Sequence, residues 1–328
     1  MKKILVLTGI FTTIILLIFY SLDIKEALQQ TIITCGKSII PSLFPICCIC
    51  MIIVNSGFIS TMPNKLILPF TFLISMVAGY PVGAKMLNTM VEKNIIKKED
   101  AEKVLPSMIC PGPAFAISIV GIQIFSSEKL GIIIYLSLLI CNTFLFVILG
   151  GTEIKCKSES KLENPFKALI NSVKSAAESI IMICAYIIFF STLSTVIKKL
   201  IGGKAATIFL YFFEITGGVY LSKNIYLTCT ILAFGGLCVM CQVVSVSSVI
   251  SPSLKKITFI RLISSIISLI IMKLLMIIFP VSIFTISNID SFALSGKNEN
   301  IYVSIVFLFS LIVLLSSLST KVLHKVYK

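Results

Sequence analysis

Glu214 is the one acidic residue that the sequence places deep inside an apolar segment, between Leu210 and Val219. An ionisable side chain in a lipid environment is costly, so it indicates a functional role such as proton coupling, cation coupling or contact with a substrate. The alternative is a structural role. In that case Glu214 pairs with Lys85, or it accepts hydrogen bonds from backbone N–H groups that an interrupted helix elsewhere in the chain leaves free.

Three further polar residues lie in or beside apolar segments. Lys85 could bind an anionic group, pair with Glu214 or extend to the cytoplasmic surface. Tyr80 could stack on a ring-shaped substrate, although plain packing is the simpler expectation. Gln242 could hydrogen-bond a substrate or tie two helices together.

Enzymatic chemistry is not predicted. The single histidine, His324, lies in the basic C-terminal tail, so no nucleophile–histidine–acid set is available. The sequence has no phosphate-binding loop, no H-E-x-x-H motif and no paired carboxylates. Cysteines at 47, 48 and 50, and at 238 and 241, would suit a metal, but cysteine is also a small packing residue in apolar segments. We therefore predict neither a metal nor a cofactor.

Four apolar segments carry residues that interrupt a helix. Proline removes a backbone donor and clashes with the preceding turn, and glycine adds backbone freedom that a helix must lose. In hydrocarbon the freed N–H and C=O groups need partners, so each break should face protein or a polar cavity. The breaks are Gly79-Tyr80-Pro81-Val82-Gly83-Ala84-Lys85, Cys110-Pro111-Gly112-Pro113, Glu214-Ile215-Thr216-Gly217-Gly218 and Gly235-Gly236, the last followed by Gln242.

We predict that a substrate binds where these breaks meet. The N-termini of half-helices favour anionic groups, and their C-termini favour cations. The predicted binding residues are Gly79, Tyr80, Pro81, Gly83, Lys85, Pro111, Gly112, Pro113, Glu214, Thr216, Gly217, Gly235, Gly236 and Gln242.

The composition places these residues in a polytopic helical membrane protein. Of the 328 residues 57% are hydrophobic and only 13% are charged, about half the charged share of a soluble domain. Apolar runs long enough to cross about 30 Å of hydrocarbon recur along the chain, which makes the lipid bilayer its first partner. The net charge of +14 comes from lysines at the ends of these runs, so nucleic acid is not predicted as a partner.

The order of the runs predicts two similar halves. Each half contains an unbroken run, two broken runs and a second unbroken run. We expect about eight spanning helices plus two re-entrant or broken elements. The predicted divisions are an N-terminal transmembrane helix at 1–27, a first repeat at 28–151, a cytoplasmic basic linker at 152–175, a second repeat at 176–280, and a C-terminal transmembrane helix with a basic tail at 281–328.

The distribution of lysines predicts the orientation. If the first broken element of each half dips in and returns, 19 of the 28 basic residues face the cytoplasm, Lys255, Lys256 and Arg261 among them. Both termini are then cytoplasmic, and the second repeat is inverted relative to the first. Inverted repeats with broken helices at matching positions are typical of secondary transporters.

Five motifs resemble the YlbJ-type sporulation integral membrane protein family, which is related to the nucleoside-recognition Gate-domain proteins. They are Ile40-Pro41-Ser42-Leu43-Phe44-Pro45, Gly79 to Lys85, Pro111-Gly112-Pro113-Ala114-Phe115, Glu214 to Gly218, and Phe234-Gly235-Gly236-Leu237 with Gln242. The resemblance covers roughly residues 28–280. It implies a transporter-like fold and a role in building the spore cortex. Cys110 departs from the pattern, because the family usually has a polar residue before Gly-Pro.

Two hypotheses follow. In the first, the protein is a transporter that moves a small polar solute or ion across the cell membrane of a sporulating cell. In the second, it is a scaffold or regulator that does not transport, and its basic linker at 152–174 docks sporulation partners in the membrane. A homo-oligomer is compatible with both. The sequence does not specify the solute.

Overall fold

The computed structural model describes residue 11, residues 13–154, residue 156, residues 162–222 and residues 224–280. Throughout this part of the chain the regular elements are helices and no strand is present, so the prediction of an all-α chain is confirmed. Residues 1–10 and 12 of the predicted N-terminal transmembrane helix (1–27) lie outside the described residues, as does the whole C-terminal segment 281–328.

The principal α-helices are interspersed with a π-helical segment at Cys35–Ile39, a 3₁₀ turn at Leu105–Met108 and a π-helix at Ala114–Ile124. The α-helices are α1 (Ser21–Thr34), α2 (Ile40–Asn55), α3 (Asn64–Ala78), α4 (Val82–Glu92), α5 (Lys98–Val104), α6 (Glu128–Ile148), α7 (Pro165–Ile201), α8 (Gly203–Phe213), α9 (Ile215–Ser222), α10 (Ile225–Phe234), α11 (Gly236–Val246) and α12 (Leu254–Ile278).

Five helical stretches in the described residues are long and apolar enough to cross a membrane, so the chain has the character of an all-α membrane protein. The prediction of about eight spans exceeds this number for two reasons. The apolar run that contains the second break, 101–125, is present as short helices and not as one span. The predicted transmembrane helices within 1–27 and 281–328 lie partly or wholly outside the described residues. The five stretches are Ser21–Asn55, Glu128–Ile148, Pro165–Ile201, Ile225–Val246 and Leu254–Ile278.

Helix α7 begins earlier than the sequence analysis expects. Its first residue, Pro165, lies inside the range 152–175 that was predicted as a linker. The side chain of Asn164 accepts a hydrogen bond from Phe166 N at 2.9 Å, and proline suits the first helical position because its missing N–H would have no partner there. The final part of the predicted linker is therefore the first turns of a 37-residue helix.

The first and last unbroken helices of the two predicted halves pack against each other in pairs. Helix α2 packs along α7, and α6 packs along α12. Buried polar bonds join both pairs: Asn55 Nδ2 donates to Ser172 Oγ at 3.1 Å, and Arg261 donates to Asn142. The two halves thus share one interior rather than folding side by side.

The outer surface of the helices is apolar. On α6 the side chains of Phe144 and Ile148 are exposed, and on α12 those of Phe259, Ile266 and Ile277 are exposed as well. So many large exposed hydrophobic side chains on long helices are what a lipid-facing surface requires.

Candidate functional site

Every predicted break is present as an interruption between helices. Helix α3 ends at Ala78 and α4 begins at Val82, and α8 ends at Phe213 before α9 begins at Ile215. The second break separates the 3₁₀ turn Leu105–Met108 from the π-helix Ala114–Ile124. The fourth is the change from α10 to α11 at Gly235.

The first and second breaks touch through their backbones. Tyr80 N donates to the carbonyl oxygen of Cys110 at 2.8 Å. A methyl group on Gly79 would lie 2.8 Å from the backbone nitrogen of Gly112, and one on Gly112 would lie 3.0 Å from Val77 O. Gly79 also has φ +80°, which side chains disfavour, so this crossing requires glycine.

The third and fourth breaks also lie together. A methyl group on Gly236 would be 3.5 Å from the carbonyl oxygens of both Phe212 and Phe213, at the end of α8. Gly235, with φ +91°, ends α10 in the left-handed conformation that is common after a helix. Each predicted half therefore contains a pair of touching breaks.

The carboxylate of Glu214 binds the start of the helix that follows it. Its two oxygens accept hydrogen bonds from Thr216 N at 2.8 Å and Gly217 N at 2.6 Å, and the residue is only 8% exposed. An acidic group at a helix N-terminus is stabilised by the free N–H groups and the helix dipole. Among the described residues no ion pair joins Glu214 to Lys85. Glu214 does accept hydrogen bonds from backbone N–H groups, as one alternative in the sequence analysis expected. These donors belong to the third break, which contains Glu214 itself, and not to another interrupted helix.

Arg261 is a buried charge that sequence reasoning missed. It is fully buried on α12, and its guanidinium donates to Asn142 Oδ1 at 2.7 Å, to Pro106 O at 3.3 Å and to Ala233 O. Ala233 is in the last turn of α10, where the free carbonyl groups favour a cation. The assignment of Arg261 to the cytoplasmic surface is therefore wrong, because its side chain lies in the protein interior.

A signal for Arg261 was present in the sequence. It is the only arginine among 28 basic residues, and it lies inside the apolar run 257–279. The guanidinium group offers five donors in a planar fork that a lysine cannot replace. Position alone suggested a surface residue, since Lys255 and Lys256 stand a few residues earlier.

Tyr80 belongs to the first break, where its backbone N–H meets Cys110 of the second. Its hydroxyl is buried and has no hydrogen-bond partner. The Nε atom of Arg261 is likewise buried and has no partner. Buried polar atoms without a partner are few in folded proteins, and each calls for an explanation. In the described residues the hydroxyls of Ser194, Ser247 and Ser268 are the others.

The remaining predicted residues divide into two groups. Gly83 is the close contact of α4 with Ser75 of α3 and with Met108 of the 3₁₀ turn. Gln242 donates to Cys238 Sγ at 3.4 Å within its own helix, so this bond does not tie two helices together. The breaks bring together Gly79, Tyr80, Pro81, Pro111, Gly112, Pro113, Glu214, Thr216, Gly217, Gly235 and Gly236 in their two pairs.

Lys85 faces a separate polar cleft of about 340 Å³. The cleft is lined from α2, α4 and α7, by Asn55, Lys85, Thr89, Glu92, Lys93, Asn171, Lys174, Ser175 and Glu178. Lys93 is held at its edge, where Nζ donates to Asn55 O at 3.0 Å and Val54 O at 3.3 Å and so satisfies the C-terminus of α2. Burial lowers the pKa of the Lys93 ammonium, while Glu163 and Glu92 act in the opposite direction.

Comparison of the chain with protein-family models, curated proteins and solved structures gave no match. The resemblance to the sporulation family therefore stays a prediction, and the function is inferred from the site.

Proposed function

We propose that the chain is a membrane transporter of a small polar solute, and that it serves spore formation. The observation that carries this proposal is the position of the two buried charges. The carboxylate of Glu214 sits at the N-terminus of α9, and the guanidinium of Arg261 reaches the C-terminus of α10. The first break adds the buried, unpaired hydroxyl of Tyr80. Helix breaks that face each other and hold buried polar groups are the arrangement by which transporters bind a solute within the membrane.

An inverted repeat with about eight crossings is part of the proposal. It is supported by the pairing of α2 with α7 and of α6 with α12, the helices that correspond in the two halves. It is supported further by reciprocal contacts: α6 touches α10, and α12 touches the 3₁₀ turn Leu105–Met108. In each case the last helix of one half contacts the second broken element of the other. The cytoplasmic placement of both termini is supported by the lysine distribution alone.

The sporulation role is supported by the motif resemblance, and the transport role by the breaks. The experiment that tests both is genetic complementation in a spore-forming host whose own copy is deleted. The complementing variants are the wild-type chain, Glu214→Gln and Glu128→Gln. Glu128 is the control because it is an exposed acid on α6, distant from the breaks in sequence.

The measurements are the count of heat-resistant spores, the amount of protein in the membrane and the solute content of the cells by mass spectrometry. We expect Glu128→Gln to restore spores and Glu214→Gln to fail at equal membrane amounts, with one solute differing between the wild type and the deletion strain. Full restoration by Glu214→Gln would contradict the transport proposal. Loss of co-purifying membrane partners in Glu214→Gln would favour the scaffold instead.

A further inference from the structure

We propose that the polar cleft between α4 and α7 binds the phosphate of an anionic phospholipid headgroup, with Lys85 and Lys174 as its cationic ligands. This site is separate from the helix breaks and does not depend on the transport proposal. Its volume of about 340 Å³ lies at the lower end of small-ligand pockets. A headgroup, rather than a whole molecule, is the size of ligand that fits it.

The first step is to find which polar groups of the cleft are free. Lys93 is bound to the carbonyl groups that end α2, Asn55 is bound to Ser172, and Glu92 accepts a hydrogen bond from Asn88 at 2.8 Å. In the described part of the chain, no ion pair or side-chain hydrogen bond engages the ammonium of Lys85 or of Lys174. Two cations, one from each wall of the cleft, are thus available for a ligand.

The second step is the charge that these groups attract. Lys85 and Thr89 are four residues apart on α4, and Lys174 and Glu178 are four residues apart on α7, so each pair lies on one helix face. The three lysines of the cleft outnumber its two carboxylates, Glu92 and Glu178, which leaves one excess positive charge. Lysine binds phosphate as a point charge, and the hydroxyl groups of a glycerol headgroup could donate to Glu178.

The third step is the place of the cleft along α7. Lys174 and Glu178 stand at the start of the apolar run 176–197, where a spanning helix meets the membrane surface. Within about two turns of them, Ile170, Ile181 and Met182 are exposed apolar side chains on the same helix. A lipid with its phosphate in the cleft could therefore lay its acyl chains along α7. Basic pockets between spanning helices are known to hold anionic headgroups in this way.

The test uses the purified full-length protein in detergent and follows its thermal unfolding midpoint as phosphatidylglycerol is added. The comparison arms are phosphatidylcholine, which carries no net charge, and glycerol 1-phosphate, which offers the same phosphate without acyl chains. The variants are Lys85→Gln, Lys174→Gln and the control Lys167→Gln, an exposed lysine on α7 that does not line the cleft.

We expect phosphatidylglycerol to raise the midpoint of the wild type and of Lys167→Gln equally. We also expect the apparent affinity to fall about fivefold for each cleft lysine removed, because this is the contribution that one lysine makes to binding at an anionic lipid surface. If Lys85→Gln does not fold, the exposed Lys174→Gln carries the test alone. Equal affinity in Lys174→Gln and Lys167→Gln would overturn the proposal, and so would no response to phosphatidylglycerol. A response to glycerol 1-phosphate at the same concentration would assign the cleft to a soluble phosphate compound instead.

Discussion

Arg261 and Asn142 form a hydrogen bond of 2.7 Å that joins the two long helices α12 and α6 in the interior of the protein. The residues are 119 positions apart in the sequence. The same guanidinium reaches Pro106, before the second break, and Ala233, before the fourth. One side chain therefore holds the breaks of both predicted halves in register.

Replacing Arg261 with glutamine should destabilise the protein strongly. A glutamine amide offers two N–H donors on a shorter side chain, so at least one of the three oxygens of Asn142, Pro106 and Ala233 loses its donor. A buried acceptor left unpaired costs about 1–3 kcal/mol, and we expect a loss of that size. Thermal unfolding can be followed with a thiol-reactive fluorophore, because the eleven cysteines are free and most are buried.

Lys255→Gln is the control for this variant, since Lys255 is an exposed cation on the same helix. We expect its midpoint to stay within the range of ordinary surface substitutions, about 0.5 kcal/mol. Equal midpoints for Arg261→Gln and Lys255→Gln would show that the guanidinium contacts do not stabilise the fold.

Replacing Glu214 separates its structural role from its functional role. As a helix cap, its loss in Glu214→Ala should cost about 0.5–2 kcal/mol of stability. Ser127→Ala is the matched control, because the Ser127 hydroxyl accepts from Leu130 N and caps α6 outside the four breaks. Both variants should have similarly lowered unfolding midpoints, but only Glu214→Ala should fail to support spore formation at 30 °C or below. Normal spore counts with Glu214→Ala would show that Glu214 only caps the helix and has no role in transport.

The crossing of the first two breaks should not tolerate a methyl group. In Gly79→Ala a side chain is forced into φ +80° and meets the backbone of Gly112 at 2.8 Å. The expected loss is about 2–5 kcal/mol, with about 1–2 from the left-handed backbone and about 1–3 from overpacking. Gly36→Ala is the contrasting variant, since nothing lies within 4 Å of the added methyl group.

For Gly36→Ala we expect stability unchanged or raised by about 0.5–1 kcal/mol, because alanine suits a helix better than glycine. The measurement is the unfolding midpoint together with the yield of membrane-inserted protein. If Gly79→Ala accumulates and unfolds like Gly36→Ala, the two breaks are not in backbone contact.

Asn88 provides a second tie between the halves. Its side-chain oxygen accepts from Val249 N at 2.9 Å and Ile250 N at 3.3 Å, and the residue is buried on α4. Asn88→Ala leaves these donors unpaired, so we expect a loss of about 1–3 kcal/mol in the same unfolding assay. Thr143→Ala, at an exposed position that bonds only within its own helix, should change little. An Asn88→Ala midpoint as high as that of Thr143→Ala would contradict the tie.

The positions of the breaks could be predicted from the sequence because glycine and proline act locally. Gly79 ends α3, Gly235 ends α10 and Pro81 directly precedes α4. Single prolines at 45 and 69 lie inside α2 and α3, so a lone proline was not a sufficient signal. The start of α7 also had a local signal in Asn164 and Pro165, but the polar residues that follow are equally typical of a linker and of a helix that extends beyond the membrane.

The partners of the buried charges could not be predicted in the same way. Arg261 meets Asn142, and Asn88 meets Val249, only because helices distant in sequence pack together. Glu214 had several chemically reasonable partners, and it binds the N–H groups of Thr216 and Gly217 because a helix begins at the next residue, Ile215. Pairing with Glu214 was one of three roles open to Lys85, and its place in the polar cleft depends on how α4 packs beside α7.

Solute uptake by vesicles that contain the purified protein tests the central proposal most directly. The panel should include nucleosides, cell-wall precursors, small organic acids and monovalent ions, with the wild type, Glu214→Gln and Ser127→Ala compared at equal protein amounts. We predict that the wild type and Ser127→Ala take up one solute and that Glu214→Gln, although inserted and folded, does not. Equal uptake by Glu214→Gln, or no uptake of any solute by the wild type, would contradict a transport site at the helix breaks.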